Sequence, residues 1–225
     1  MLMRRIITFL IVFFLVQQGF AQGSSSWLVG VEGNTQGVGL ELSMGASAES
    51  KWSYRLSYQY FRYLKENTLV LEKGSELIVN PAIRQQALIA KVDWHPFRKG
   101  RFRLTTGVAY HVIQDYKVLA RSITGIKQGD ITIAPEDFGV IDAALQWNKV
   151  RPDLGLGWGR DFPNHRISFG VDMGVYYMGS PHLNVNYEGF LETTTLDEEL
   201  KKVEQKAAGY AYYPHLGFQI RYLIE

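Results

Sequence analysis

From Arg151 to Pro181 the chain reads RPDLGLGWGRDFPNHRISFGVDMGVYYMGSP. Ile167, Phe169, Val171, Met173, Val175 and Tyr177 alternate with Ser168, Gly170, Asp172, Gly174 and Tyr176. Before them, Leu154, Leu156 and Trp158 alternate with Asp153, Gly155, Gly157 and Gly159. A period of two predicts two strands, with a tight turn at Phe162 to His165. Large apolar residues hold one face, and small or charged residues hold the other. A soluble lipocalin-like barrel turns its apolar face inward. A charged small-residue face suits a barrel with lipid outside and a polar filling inside.

The same alternation recurs along the chain. Trp27, Val29 and Val31 share one face of a first strand, followed by a short loop at Asn34 to Gly37. Val38, Leu40, Leu42 and Met44 point outward, with Gly39, Glu41 and Ser43 inward. Trp52, Tyr54, Leu56, Tyr58 and Tyr60 oppose Ser53, Arg55, Ser57 and Gln59. A long polar loop is predicted over Lys65 to Arg84. Leu88, Ala90, Val92 and Trp94 then face outward, with Lys91 and Asp93 inward. After a turn at Pro96 to Gly100, Phe102, Leu104, Thr106, Val108, Tyr110 and Val112 oppose Arg103, Thr105, Gly107 and His111. A second long connection, Gln114 to Lys149, holds an alternating Ile141, Ala143, Leu145 and Trp147 that suggests a hairpin of its own. The third, Gly179 to Gly209, carries a capping-box pattern at Thr195 to Glu198. Leu196, Leu200, Val203 and Ala207 follow on one helical face, so a short amphipathic helix is expected there. The last strand is Tyr210 to Ile224. Its Pro214 cannot donate to a ladder and is expected near the loop end.

Eight strands result. Turns after the second, fourth and sixth are short, and connections after the third, fifth and seventh are long. Bacterial outer-membrane barrels show this asymmetry. The predicted fold is therefore all-β, an eight-stranded antiparallel transmembrane up-and-down barrel with long extracellular loops and a short helix in the last. Trp52, Trp94, Trp158 and Tyr222 fall at one end, and Tyr60, Tyr110, Tyr177 and Tyr212 at the other, as two interfacial aromatic girdles would.

Composition adds three points. The 225 residues include 22 Gly, 5 Trp, 13 Tyr and 12 Phe, a barrel-like usage. With no Cys, disulfides, thiolate metal sites and a Cys-linked lipid anchor are excluded. Residues 1–21 read as a signal peptide: Arg4 and Arg5, an apolar Ile6 to Val16 interrupted only by Thr8, and a small-x-small site at Gly19-Phe20-Ala21. The mature barrel domain is then 22–225. Removing both arginines leaves 22 basic against 22 acidic residues, which gives no basic surface for nucleic acid.

Several stretches carry a resemblance: GVGLELS at Gly37 to Ser43, VDWHPFRKGRFRLTTGVAYH at Val92 to His111, VRPDLGLGWG at Val150 to Gly159, FGVDMGVYYMGSP at Phe169 to Pro181, and YPHLGFQIRY at Tyr213 to Tyr222. They resemble an uncharacterised family of small Gram-negative outer-membrane β-barrel proteins. The resemblance implies an OmpA/OmpX-like eight-stranded barrel and no known activity. Asp153 departs from the aromatic residue expected after Pro152. Its carboxylate belongs either at the loop border, with the strand starting later, or in the lumen. His215, Gly217, Ile220 and Tyr222 resemble the signal read by the outer-membrane assembly machinery, although Leu223, Ile224 and Glu225 replace the usual terminal Phe.

The chemistry sits on the inward face. Acids there are Glu32, Glu41, Asp93, Asp153 and Asp172, and bases are Arg55, Lys91, Arg103, Arg166 and Arg221. They would line either a pore or a closed polar plug. Eight strands leave an interior just wide enough for side chains, which favours the plug. His95 and His165 fall in turns, while His111 and His215 face inward near the outer end. No pair has HxH or HExxH spacing, so no metal is expected. Ser180 and His182 lack a GxSxG elbow and a positioned acid. No catalytic residue and no cofactor is therefore expected. The expected role is structural or interaction-based, with outer-membrane lipid and the assembly machinery as partners. The alternatives are a narrow porin for small solutes or ions and a lipid-modifying enzyme.

Overall fold

Among the described residues, alternating positions pair into thirteen strands: β1 (Ser26–Asn34), β2 (Gly37–Gly45), β3 (Trp52–Leu64), β4 (Asn67–Val70), β5 (Glu76–Trp94), β6 (Phe102–Ser122), β7 (Ile126–Gln128), β8 (Ile131–Ile133), β9 (Val140–Gln146), β10 (Val150–Trp158), β11 (Ile167–Tyr177), β12 (His182–Glu188) and β13 (Tyr212–Ile224). The computed structural model describes residues 26–45, 51–65, 67–70, 76–97, 100–122, 126–128, 131–133, 140–159, 166–188 and 209–224. The expected signal peptide, His165 and the helix expected near Thr195 to Ala207 lie outside them.

Eight of the strands form a closed antiparallel ring in the order β1, β2, β3, β5, β6, β10, β11, β13. Closure is the β13–β1 pairing, from Trp27 opposite Ile224 to Asn34 opposite Gly217. A closed ring leaves no unpaired edge. Along β3 and β13 exposed and buried positions alternate almost without exception. The ring is inverted relative to a soluble protein. Among the described residues, six apolar side chains are buried against twenty-two polar or charged ones, while Leu40, Leu56, Phe169 and Ile220 lie exposed on the outer wall.

Three predicted loops are shorter than expected, because strands run on past the ring. β3 reaches Leu64 and β5 begins at Glu76, so most of Lys65 to Arg84 is ladder, with β4 added against β5. β6 extends to Ser122. Its far half pairs with β9, so Ile141 to Leu145 continues the wall rather than forming its own hairpin; the small hairpin is β7–β8. His182 to Glu188, expected as loop, is β12 paired with β9. Outside β9, alternation fades in these segments because both faces can be polar, while the backbone pairing persists.

Two irregularities shape the long-loop end. Gln86 pairs with Ile113 and Ala87 with His111, so Val112 is an extra residue on β6. Such a bulge reverses the facing beyond it. The second is a break common to two adjacent strands. β9 gives way to β10 and β11 to β12 at one level, held by Asn148 N–H donating to the Met178 carbonyl at 3.1 Å. Gly179 takes φ +73° there, a left-handed conformation that favours glycine.

Pro214 is accommodated by the same logic of edges. Leu216, of the same parity, faces β1 and accepts from Thr35 N–H at 3.1 Å. The β1 pairing ends at Gly217, so the missing N–H of Pro214 faces a side with no ladder to serve.

Candidate functional site: the charged lumen

Inward parity brings long charged side chains from every quarter of the ring into one narrow space. Nearest the short-turn end lies a layer centred on Asp172 of β11. Arg55 Nη1 is 2.6 Å from its Oδ2, and Arg103 Nη2 is 2.5 Å from its Oδ1. Gln219 Nε2 donates to Oδ2 at 2.5 Å. Arg55 also binds Asp93, Nε to Oδ2 at 2.6 Å, and approaches Glu41 at 3.5 Å. Arg221 Nε meets Glu41 Oε1 at 2.5 Å. Thr105 donates its hydroxyl to Asp93 at 2.6 Å, and Arg103 Nη1 donates to the Gly159 carbonyl at 3.0 Å. The charges saturate one another, as buried charges must.

A second group centres on Asp153 of β10. Lys91 Nζ is 3.0 Å from one oxygen and His215 Nε2 is 2.8 Å from the other. Tyr176 packs its ring on His215, centroids 4.5 Å apart. Ile89, Ala109, Ala87, Met178 and Tyr176 form a small apolar cluster, covered by Trp147 and Tyr213. Toward the long-loop end, Arg151 reaches His111 at 3.1 Å, Gln114 at 2.7 Å and the Asn148 carbonyl at 3.0 Å. Glu32 accepts from Gln59, and Gln85 bridges Tyr116 and the Gln36 carbonyl at 2.5 Å each.

Glycines make room for these side chains. In cross-strand register Gly30 faces Arg221, Gly39 faces Gln59, Gly107 faces Lys91, Gly157 faces Arg103 and Gly174 faces His215. A Cβ on Gly30 would stand 2.9 Å from Arg221 Cγ, and one on Gly107 would stand 2.8 Å from Lys91 Cγ. At Gly157 it would strike Arg103 and come within 2.5 Å of Asp172 Oδ1. Each long side chain lies flat across the neighbouring strand because that strand has no side chain there.

Glu41, Arg55, Lys91, Asp93, Arg103, Asp172 and Arg221 thus all lie buried in the lumen and in ion pairs. Asp153 lies there too: β10 begins at Val150 and carries it inward, so the later strand start is not found. Arg166 is exposed at the end of the ring and is not a lumen base. Its strand starts one residue later, where parity begins to hold. Arg151 is the missed fifth base, legible from its shared parity with Asp153. His95 follows the end of β5 at the start of the turn and is buried there, 3.3 Å from Ser53 Oγ. His111 and His215 take different partners. Ser180 and His182 are exposed. Among the described residues no His, Asp or Glu cluster could hold a metal ion.

On the outer wall, Trp52 and Trp94 are neighbours with centroids 6.3 Å apart, and Trp158 lies opposite Phe102. Tyr222 lies between Val29 and Ile167 at the same end. Tyr177 and Tyr212 meet at 5.3 Å at the other end, where Tyr60 and Tyr110 also stand. Gly217 is buried on β13, with Ile220 and Tyr222 outside.

A closed antiparallel ring of about eight strands, apolar outside and charged within, fits a small outer-membrane barrel. Solved structures share that fold. Acinetobacter baumannii CarO matches with a TM-score of 0.57 and 18% identity, over 88% of this chain and 97% of that one. A. baumannii CarO2 matches with a TM-score of 0.59 and 16% identity, over 89% and 98%. No protein-family model and no curated relative matches the chain.

Proposed function

We propose that this chain is an integral outer-membrane β-barrel with a closed lumen. Its role is non-enzymatic: a structural element of the envelope, or a scaffold for interactions at its long-loop end. The observation that carries the closed lumen is the Arg55–Asp172 pair at 2.6 Å, which joins opposite walls of the ring. The apolar outer wall and two aromatic belts support residence in lipid. The Gly217, Ile220 and Tyr222 pattern on the last strand supports delivery by the outer-membrane assembly machinery. The leader expected at residues 1–21 supports export.

Two measurements test this reading. Fractionation should place a chain cut after Ala21 in the outer membrane, shifting on gels only after heating. Recovery as a soluble periplasmic protein would overturn it. In planar bilayers the wild type should show no steady conductance. A steady, charge-selective current would make it a narrow pore for small solutes or ions instead.

A further inference from the structure

Above the outer-wall tyrosines, the surface of β3, β5 and β6 changes character within one step. Across β3 and β5, Tyr58 is opposite Leu88, Tyr60 opposite Gln86, Arg62 opposite Arg84, and Leu64 opposite Ala82. On β6, Asp115 lies opposite Arg84 and Lys117 opposite Ala82. Two residues along a strand are about 7 Å, so the guanidinium groups stand one headgroup's depth above the tyrosine ring. Arg62, Arg84, Asp115 and Lys117 are all exposed on this outer wall. β6 contributes only because of its bulge. The extra Val112 turns Asp115 and Lys117 outward and sends Gln114 and Tyr116 into the lumen.

Like charges directly opposite in an antiparallel pair destabilise it unless something lies between them. Among the described residues no ion pair or hydrogen bond engages the side chains of Arg62, Arg84 or Lys117. These cations and Asp115 line a recess of about 510 Å³. Arg62 and Tyr60 also border a second recess of about 740 Å³, whose apolar wall includes Val38, Leu216 and Phe218. It opens where the short β1–β2 turn leaves the wall low between β13 and β3. A charged recess and an apolar one therefore meet at Tyr60 and Arg62.

We propose that the two recesses form one site for an anionic glycolipid of the membrane. Arg62, Arg84 and Lys117 hold its phosphate, Asp115 accepts from a headgroup hydroxyl, and acyl chain lies along Val38, Leu216 and Phe218. Planar guanidinium groups suit phosphate oxygens, and the phosphate relieves the Arg62–Arg84 repulsion. The site rests on the outer-membrane reading, since it needs the tyrosines to mark the lipid boundary.

The test is native mass spectrometry of the purified full chain in detergent. The probes are bisphosphoryl lipid A, monophosphoryl lipid A and phosphatidylcholine. Bisphosphoryl lipid A should be retained best. Each of Arg62→Gln, Arg84→Gln and Lys117→Gln should lower its retention about five-fold. None touches the lumen, so heat-modifiability should stay as in wild type. Equal retention of phosphatidylcholine, unchanged retention in the Arg62→Gln/Arg84→Gln double variant, or full displacement by millimolar inorganic phosphate would each overturn the site. A protein that is heat-modifiable and fractionates with the outer membrane, yet shows no lipid preference, sinks this site alone. A soluble protein sinks the membrane reading first.

Discussion

Arg55 on β3 and Asp172 on β11 touch at 2.6 Å although their strands are four places apart in a ring of eight, the greatest separation the ring allows. Arg103 and Gln219 converge on the same carboxylate, so one aspartate ties four strands across the lumen. Asp172→Ala leaves two buried guanidinium groups short of a partner. The expected cost is about 3–5 kcal/mol, read as a lower temperature of heat modification in detergent. Arg55→Ala/Asp172→Ala should be less damaging than the two single losses added together. Any current through Asp172→Ala should appear only with this loss of stability. Equal stability of variant and wild type would mean hydrated charges and a wet lumen.

Glycine spacing gives a sharper pair of variants. Gly157→Ala sets a methyl group against Arg103 and Asp172 and should cost about 1–3 kcal/mol as an overpacking change. Gly33→Ala meets nothing within 4 Å and should stay within about 0.5 kcal/mol of wild type. Thermal unfolding of both in one detergent decides it; similar losses would show that Gly157 is not making room for the arginine.

On the outer wall Leu56 is exposed, while its neighbour Ser57 is buried in the lumen. Leu56→Arg should impair assembly by about 2–4 kcal/mol near the midplane, and Ser57→Thr by much less. The folded fraction on unheated gels measures this. Normal assembly of Leu56→Arg would reverse the assignment of faces.

The β6 bulge can be read by labelling, because the chain has no Cys and one introduced thiol is unique. Asp115→Cys on intact cells should react with a membrane-impermeant maleimide, and Tyr116→Cys should not. Deleting Val112 should leave both reactivities as they are, because Ile113 then follows His111 in regular alternation and still pairs with Gln86. If Tyr116→Cys reacts as readily in the undeleted chain, the bulge does not set the facing.

The facing of most ring residues was legible in the sequence, because side chains alternate between the two faces of a strand and the large apolar ones keep to the outer wall. Glu41, Arg55, Asp93, Arg103, Asp172 and Arg221 could be placed inward on parity alone. Arg151 carried the same signal as Asp153. Arg166 did not, because parity means nothing one residue outside a strand. Beyond the tyrosines at the long-loop end the outer face is no longer uniformly apolar, so the extensions of β3, β5 and β6 left little periodic trace, and the alternation from Ile141 to Trp147 did not reveal that β9 pairs with β6 and β12.

What the sequence determined by itself was therefore a set of strands, their inward charges and their apolar outer face, since each follows from local alternation. Only the tertiary structure decided which charge meets which. Arg55 finds Asp172 because ring closure sets β3 opposite β11, and Arg103 lies flat because register sets it over Gly157. The bulge at Val112 was equally a matter of tertiary structure: one extra residue in β6 is visible only against the partner strand it fails to match, and it alone turns Asp115 and Lys117 to the outside.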